Sequence, residues 1–433
     1  MIIIGALIVL VSFLIIGIPI PLTFLASASF FIFFGGYDAM SLIPYGFSKM
    51  NSVVLLTIPL FILAGSVMDK GGIGESLVGA VEKFVGRVKG GLGVVTIVSC
   101  GVFGAISGSS SATLSCIGSI MAPRLKDNGY HPGFSGALIA SSGVLGILIP
   151  PSMLMILYAW VGGQSVLASF LATVIPGLIL IVLFSIVNLV YASRNPDIKI
   201  YVKSSQPAIG PDGRENKPPS AIAALLMPVI ILGTIYGGIL TPTEAAAVSF
   251  LYAIPVGFLV YKRLNARSMK ETLIQGGITT GVIMIMLFAV MILSRLYVME
   301  NLPQQILAVM TSITENKVII LLMINVFMII VGMLMDDVSG VLLCTPILLP
   351  IAVALGISPI HFAAIVGVNL GMGNITPPTA PLLYLSGRVA NAKVKDMLKP
   401  TFALIIFAWL PTLILTTFFP ELSMFLPRLF GYA

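Results

Sequence analysis

Residues 104–111 read GAISGSSS, a run of glycines and small hydroxyl residues inside an almost wholly apolar chain. Further along, residues 143–152 read GVLGILIPPS, where a double proline interrupts another apolar segment. The same pairing recurs later, as MDDVSG at residues 335–340 and GMGNITPPT at residues 371–379. Because glycine, serine and proline all disfavour a continuous helix, the two pairs predict four helix breaks. Their repetition indicates a polar site built at membrane depth.

The composition restricts the fold before any motif is considered. Hydrophobic residues make up 58% of the chain and charged residues 9%, and the mean hydropathy is +1.09. So few charges cannot cover the surface of a water-soluble domain. In hydrocarbon only helices and closed barrels satisfy their own backbone groups, and these apolar runs are too long and too little alternating for barrel strands. The sequence therefore predicts an all-α polytopic membrane protein.

Segment lengths predict two kinds of interrupted element. Residues 92–106 and 111–125 are each about 15 residues long, against about 20 for a full span. This length predicts a re-entrant hairpin over residues 92–125, and a second hairpin is predicted around MDDVSG at residues 318–355. The double prolines fall inside longer apolar segments, residues 132–160 and 362–385, which we interpret as broken helices.

A polar, proline-containing linker divides the chain into two halves. Shifting the numbering by 227 superposes Pro123 on Pro350, Gly146 on Gly373, and the first double proline on the second. Since these matches fall on helix breakers, they favour an internal repeat. The predicted boundaries are 1–192 for the first half, 193–220 for the linker and 221–433 for the second half.

The distribution of basic residues predicts the orientation. Of the 23 Lys and Arg residues, 19 lie in five loops, which the positive-inside rule places in the cytoplasm. The net charge of +7 then reflects these loops, and a nucleic acid partner is not expected. With this orientation the first hairpin enters from the cytoplasm and the second from outside. Two inverted-topology repeats of this kind are typical of secondary transporters.

The breaks carry chemistry suited to ions. Unpaired carbonyls at a helix break can coordinate a small cation, and free N–H groups can hold an anion. Oxygen-only ligands suit a hard monovalent cation such as Na⁺ better than a transition metal. An isolated serine or glycine in a membrane helix usually serves close packing, but clustering at matched positions favours a site. The oxygen-bearing candidates at the breaks are Ser107, Ser109, Ser110 and Ser111 in the first half and Asp336, Asp337, Ser339, Asn374, Thr376 and Thr379 in the second.

Two other function classes remain as alternatives. An intramembrane serine protease needs a base within reach, yet neither histidine lies in a predicted span. An aspartyl protease needs two converging carboxylates, whereas Asp336 and Asp337 are adjacent and point to different sides of a helix. An ion channel needs a continuous pore, while one polar site in each half fits alternating access better. The sequence contains no GxxxxGK[ST] motif, so nothing in it indicates an ATP-driven pump.

Four segments together resemble a known family. GAISGSSSATLSCIGSIMAP, GILIPPS, TPTEAAAV and GNITPPTAP follow one another along the chain. In this order they resemble the large membrane subunit of a tripartite ATP-independent periplasmic (TRAP) transporter, and the similarity covers essentially the whole chain. The resemblance implies an elevator-type secondary transporter, not an enzyme, in the bacterial inner membrane. In such a transporter, hairpins and broken helices carry Na⁺ and an organic anion, such as sialic acid or a C4-dicarboxylate.

The same resemblance implies partners and moving parts. The expected partners are a small four-helix membrane subunit (Q-type), a periplasmic substrate-binding protein and membrane lipid. Since the chain begins with the part that resembles the large subunit, the small subunit is expected as a separate polypeptide. The expected scaffold comprises the first span and residues 165–191, 221–261 and 402–419, with amphipathic arms at residues 69–89 and 295–317.

The resemblance also implies site residues at the breaks. The expected Na⁺ ligands are Ser107, Gly108, Ser109, Gly143 and Gly146 in the first half and Asp337, Ser339, Gly371, Gly373, Asn374 and Thr376 in the second. The expected substrate contacts are Ser109, Ser110, Pro150, Asp337, Pro377 and Thr379.

Overall fold

The computed structural model describes residues 2–85, 88–200 and 221–432. Most of them are helical, and within these ranges the one β-type pairing is an isolated bridge between Lys89 and Ile200. Residues 201–220 of the predicted linker lie outside the described residues. The helices in chain order are α1 Ile2–Ile16, α2 Ile20–Gly35, α3 Ala39–Met50, α4 Thr57–Lys70, α5 Ile73–Val85, α6 Gly91–Ser107, α7 Ser110–Asp127, α8 Pro132–Gly143, α9 Leu145–Leu148, α10 Met153–Gly162, α11 Val166–Arg194, α12 Ala221–Tyr236, α13 Pro242–Pro255, α14 Ala266–Met299, α15 Leu302–Ile313, α16 Lys317–Leu334, α17 Asp337–Ala354, α18 Pro359–Gly373, α19 Pro381–Val389, α20 Val394–Leu404, α21 Leu410–Phe418 and α22 Pro420–Leu429. A 3-10 turn at Val53–Leu56 precedes α4, and π-helical turns at Val256–Val260 and Ile405–Trp409 extend α13 and join α20 to α21.

The helices are long and apolar enough to cross a membrane. In the described part of the chain seven segments meet this description, and the pair Pro132–Leu148 and Met153–Gly162, bent by 45° at its break, can form an eighth. Large apolar side chains are also exposed on the surface, among them Phe33 at 82% and Phe47 at 73%. A water-soluble protein rarely exposes so much apolar surface, whereas lipid solvates it. The predicted all-α polytopic membrane fold is confirmed.

Helix boundaries recur at a constant offset. α7 and α17 are both 18 residues long and begin at Ser110 and Asp337, which are 227 positions apart. α8 and α18 begin at Pro132 and Pro359, with the same offset. The same offset relates α6 to α16: their last residues match, and their first residues differ by one position.

Equivalent positions of the two halves touch each other. The Ser110 hydroxyl donates to Asp337 Oδ2 over 2.5 Å. A Cβ built on Gly371 would lie 2.5 Å from Val144 Cγ1, and these two positions have the same offset. Residues related by a two-fold axis can meet only near that axis, so the axis of the predicted repeat would pass between the α7 and α17 starts and between the broken helices. Opposite insertion of the halves into the membrane stays a prediction.

Each hairpin turns at a short capped connection. Gly108 adopts φ +62, a left-handed conformation that favours glycine, and ends α6. Ser109 then caps α7, accepting a hydrogen bond from the Ala112 N–H. In the second hairpin Met335 is extended and Asp336 caps α17 by accepting from the Ser339 N–H. We call these two connections tip 1 (residues 107–111) and tip 2 (residues 334–339).

Each broken helix is interrupted at its double proline. The first consists of α8, the short α9 and, after an extended segment, α10. The second consists of α18 and α19 with an irregular segment at residues 374–380 between them. The Pro150–Pro151 and Pro377–Pro378 bonds are both cis. Each break therefore lies within the segment in which the sequence predicts it.

The helices pack as two groups, which meet directly where α4 touches α6 and α14 touches α17, and which α5 and α15 also connect. The first group contains α1 to α4 and α12 to α14, and the second contains α6 to α11 and α16 to α22. α5 packs against α12 and also against α6 and α7, while α15 lies between α14 and α17. The arms predicted at residues 69–89 and 295–317 thus contain α5 and α15, each of which contacts both groups.

The packing of two spans differs from the expectation. α11 and the segment from α20 to α21, which were expected in the scaffold, pack mainly against α6, α8, α18 and α22. Trp409 is buried there, and its ring meets Phe184 of α11 edge-on at 5.8 Å. A regular apolar span carries no signal for the neighbour it packs against, so the sequence could not assign these two.

Candidate substrate and ion site

A cavity of about 660 Å³ lies between the two hairpin tips. Tip 1 contributes Ser109 and Ser111, and tip 2 contributes Leu334 and residues 336–339. The opposite wall is formed by the connection between α1 and α2 and by residues 278–286 of α14. Small-molecule sites commonly have volumes of about 300–1,000 Å³, so the cavity can hold an organic acid.

A second, smaller cavity adjoins the first. Its volume is about 260 Å³, and both cavities are lined by Ser109, Ser111, Met153 and Thr279. The hydroxyl groups lining the smaller cavity belong to Ser66, Ser107, Ser109, Ser111, Ser115 and Thr279. Among the described residues, neither lining includes Lys, Arg or His. The combined space is thus rich in hydroxyl groups, and its charged side chains are Asp336 and Asp337.

Oxygen atoms converge where tip 1 meets the first broken helix. The Ser107 hydroxyl lies 2.9 Å from Thr113 Oγ1 and donates to the Ser109 carbonyl over 3.4 Å. A Cβ built on Gly146 would lie 2.5 Å from both Ser109 O and Thr113 Oγ1. Only a glycine at position 146 lets the broken helix approach these oxygens so closely. The three oxygens form a set of neutral ligands that a hard monovalent cation could use.

Other predicted residues of the first half surround this set. Gly108 O accepts a hydrogen bond from Met153 N over 3.0 Å, which fixes tip 1 to the start of α10. A Cβ on Gly143 would lie 2.8 Å from Leu114 Cβ, so Gly143 serves close packing of α8 on α7. Thr113 was not predicted from the sequence. It lies one helical turn after Ser109, and this spacing is the signal that could have identified it.

Tip 2 brings its carboxylates and an amide together. Asp336 Oδ1 accepts from both the backbone N–H (3.3 Å) and the hydroxyl of Ser339. Asp337 accepts from the Val338 N–H over 3.1 Å and from Ser110 Oγ. The Asn374 amide, in the orientation that satisfies both neighbours, donates to Met335 O (3.0 Å) and accepts from Asp337 N (3.2 Å). The predicted residues Asp337, Ser339 and Asn374 therefore meet at one place.

Three other predicted ligands of the second half make packing contacts. A Cβ on Gly373 would lie 2.7 Å from Gly332 Cα, and one on Gly371 would meet Val144. The Thr376 hydroxyl donates to Met372 O over 2.6 Å, a bond within its own helix turn. The two glycine contacts hold the second broken helix against α16 and against Val144, which joins α8 to α9.

The expected substrate contacts divide into two groups. Ser109 and Asp337 line the larger cavity, while Ser110 is buried and bonded to Asp337. Pro150, Pro377 and Thr379 are not among the lining residues of either cavity; Pro150 is buried and Thr379 is exposed. Thr279 and Met153 line both cavities but were not predicted. The sequence GGITTG at residues 276–281, a polar patch in an apolar span, could have indicated Thr279.

Comparison with known proteins decides the family. Residues 7–422 match the family described as "Tripartite ATP-independent periplasmic transporter, DctM component". The chain belongs to this family. The predicted resemblance to the large TRAP membrane subunit is thereby confirmed.

Individual TRAP relatives agree with this assignment. Over 95% of its length the chain is 32% identical to the isethionate TRAP transporter permease protein DctMQ of Oleidesulfovibrio alaskensis, and it spans 64% of that relative's length. It is 33% identical to the sialic acid TRAP transporter large permease protein SiaM of Vibrio cholerae, with 88% of each chain covered. The solved YdaH transporter of Alcanivorax borkumensis has a similar fold, with a TM-score of 0.62 at 14% identity over 88% of each chain.

Family membership also decides the class and location. The DctM family consists of transporter permeases, so this TRAP chain is a transport protein and not an enzyme. Its seven or more apolar helices make it a multi-pass integral membrane protein, located in the inner membrane in bacteria. The intramembrane protease alternative is therefore wrong.

Proposed function

We propose that the chain is the permease subunit of a Na⁺-coupled secondary transporter that imports a carboxylate-bearing organic anion of the sialic acid or C4-dicarboxylate class. The cavity of about 660 Å³ between the two hairpin tips is the observation that carries this proposal. The hydroxyl groups of the adjoining cavity suit the hydroxyl or carboxylate groups of such a solute. Similarity to a sialic acid permease supports the same substrate class.

Coupling to Na⁺ is supported by the oxygen atoms at tip 1 and by the charge of tip 2. Ser107 Oγ, Ser109 O and Thr113 Oγ1 offer neutral oxygen ligands at the Gly146 approach. Asp336 adds negative charge to a cavity whose described lining has no basic side chain. An anion entering such a cavity is repelled unless a cation is already bound. Bound Na⁺ would supply the missing positive charge.

An elevator mechanism is supported by the division of the helices into two groups. In the proposed cycle the group containing both hairpins moves against α1 to α4 and α12 to α14. An ion pair ties α5 to each group: Glu75 pairs with both terminal nitrogens of Arg263 at 2.8 and 2.6 Å, and Glu82 lies 3.6 Å from Arg124 of α7. α5 is therefore connected to both groups, as an arm in this mechanism must be.

The position of the cavity favours an inward-facing arrangement. The basic loop after α4 is predicted to be cytoplasmic, so the connection between α1 and α2 two spans earlier lies on the same side. Residues 17–21 of this connection line the cavity. The proposed conformation is thus the one that releases substrate to the cytoplasm.

We also propose two protein partners, a Q-type small membrane subunit and a periplasmic substrate-binding protein. The name DctMQ, together with the part of that relative beyond the matched region, supports a Q-type partner. The family description as tripartite and periplasmic supports the binding protein.

The test is uptake of a panel of radiolabelled organic acids, including sialic acid and succinate, into proteoliposomes. The vesicles contain the chain with its small subunit, and the binding protein and an inward Na⁺ gradient are each present or omitted. We expect one solute to accumulate only when all components are present. Na⁺ conductance without solute uptake in sealed vesicles would instead favour the ion channel alternative.

A further inference from the structure

A separate cavity of about 360 Å³ lies away from the hairpin tips, at the other end of α16. It is enclosed by the start of α16, the connection between α17 and α18, the end of α21, and α22. The polar residues lining it are Lys317, Ser358, His361, Thr417 and Arg428. None of them contributes to the proposed substrate and ion site. With the predicted orientation, the cavity faces the outer side of the membrane.

Three helix N-termini converge on this cavity. α16 begins at Lys317, α18 at Pro359 and α22 at Pro420, and residues at all three starts line the space. The cap residues of α18 and α22 make no side-chain capping bond. In the described part of the chain, the N–H groups of Ile360 and His361 have no hydrogen-bond partner. Helix N-termini carry partial positive charge and free donors, which together attract anions.

The side chains around the cavity are also basic. Lys317 is exposed and makes no ion pair within the described ranges. Arg428 binds Glu421 through Nη1 alone, over 2.7 Å, so its remaining N–H groups are available. His361 is only 4% exposed, and its Nε2 donates to Thr416 O over 2.7 Å, so this side chain is already bonded within the protein. The cavity therefore combines fixed positive charge with unused donors.

The rim of the cavity continues into an apolar surface. On α16, Val318, Leu322, Val326 and Ile330 are exposed at four-residue intervals, and such residues share one face of a helix. On α22, Phe425 and Leu429 are exposed as well. A hydrocarbon chain can lie along this face while a charged headgroup occupies the cavity.

We infer that this cavity binds the phosphate group of a phospholipid in the outer leaflet. The phosphate accepts hydrogen bonds from the α18 N-terminus, Lys317 and Arg428, and an acyl chain follows the exposed face of α16. Basic pockets between membrane helices are suited to lipid headgroups. The lipid would then join the base of the second hairpin to α22.

Native mass spectrometry of the purified protein, titrated with dioleoylphosphatidylglycerol, tests the inference. We expect wild type to retain one lipid, and Lys317→Gln to weaken its binding about fivefold because one basic group near the membrane surface is lost. Lys270→Gln, which removes an exposed lysine of α14 remote from the cavity, is the matched control. Arg428→Gln provides a second variant. Dioleoylglycerol, which lacks the phosphate, should not be retained.

Several results would overturn the inference. Equal lipid binding by wild type and both cavity variants would exclude a headgroup site here. Equal retention of dioleoylglycerol would show that the acyl chains alone bind. The melting temperature is also measured with inorganic phosphate and with the lipid. If phosphate raises it as much as the lipid does, and Lys317→Gln abolishes that increase, a free anion is the ligand and the lipid assignment is overturned. Because binding is measured without transport, each outcome is independent of the proposed function.

Discussion

The substitution Gly146→Ala places a methyl group at the closest approach of the first broken helix to tip 1. Its Cβ would lie 2.5 Å from Ser109 O and from Thr113 Oγ1, well inside normal contact distance. The Ser109 oxygen belongs to the backbone, so a side-chain rotation cannot relieve the clash. Tip 1 must move, and overpacking of this kind costs about 1–3 kcal/mol.

This cost should appear in Na⁺ binding. If tip 1 moves, Ser107 Oγ, Ser109 O and Thr113 Oγ1 no longer hold their relative positions. A loss of about 1–3 kcal/mol corresponds to roughly 5- to 150-fold weaker binding. We therefore expect the Na⁺ concentration for half-maximal uptake to rise by such a factor. The Na⁺ concentration that gives half of the maximal increase in the melting temperature of the purified protein should rise by the same factor.

Gly277→Ala provides the matched control. A Cβ at this exposed position of α14 would have no heavy atom within 4 Å, and its backbone is helical. Alanine in a helix interior is favoured over glycine by about 0.5–1 kcal/mol, so this variant should be slightly more stable and respond normally to Na⁺. A Gly146→Ala protein with the wild-type Na⁺ response in both assays would refute the ion site at tip 1.

Three further substitutions test separate contacts. Gly373→Ala should lower the melting temperature by an amount equivalent to about 1–3 kcal/mol, because its Cβ would lie 2.7–2.8 Å from the α16 backbone. Asp337→Asn removes the charge that accepts the Ser110 hydroxyl, and a hydrogen bond to a charged group contributes about 1.5–3 kcal/mol. Initial uptake rates should therefore fall by about tenfold or more. Ser110→Ala should reproduce this loss. Arg124→Gln leaves the buried Glu82 carboxylate without its cation, which should cost about 1–3 kcal/mol in thermal melting, whereas an unchanged melting curve would show that the pair contributes nothing.

Much of the fold could be predicted because helix breakers are local signals. The predicted hairpin at residues 92–125 corresponds to α6 and α7, which span Gly91 to Asp127, and the second corresponds to α16 and α17. Tip 1 and tip 2 lie where the glycine, serine and aspartate residues predict them. In an apolar chain each interruption of hydrophobicity stands out, so the boundaries follow from the sequence with little tertiary information.

Elements without such signals were missed or misplaced. α3 and α22 are short helices with mixed composition, and neither was predicted. The arm predicted from residue 295 begins later in the structure, because α14 extends from Ala266 to Met299. Arg295 does not end this helix but lies 5.4 Å from the centre of the Tyr45 ring. A contact made 250 residues away in the chain cannot be anticipated from local polarity.

The candidate site could be predicted in its location more than in its atoms. Ser107, Ser109 and Gly146 meet as expected, yet the third oxygen comes from Thr113, which sequence reasoning treated as part of a helix. The double prolines were expected to contact substrate because they break helices, but the first double proline instead supports tip 1. A Cβ on Gly108 would lie 2.9 Å from Pro151 O, so this proline segment packs beneath tip 1 and not into the cavity.

The two tips share one backbone plan but differ in chemistry, and this difference bears on the order of binding. Ser109 and Ser110 are equivalent to Asp336 and Asp337, so a neutral hydroxyl tip faces a tip with two carboxylates. No basic residue among the described lining offsets them. Negative charge on these carboxylates repels an anion at short range, and a bound cation offsets that repulsion. We therefore expect Na⁺ to bind before the organic anion, with the serine tip supplying ion ligands and hydroxyl groups while the aspartate tip makes anion binding depend on the cation.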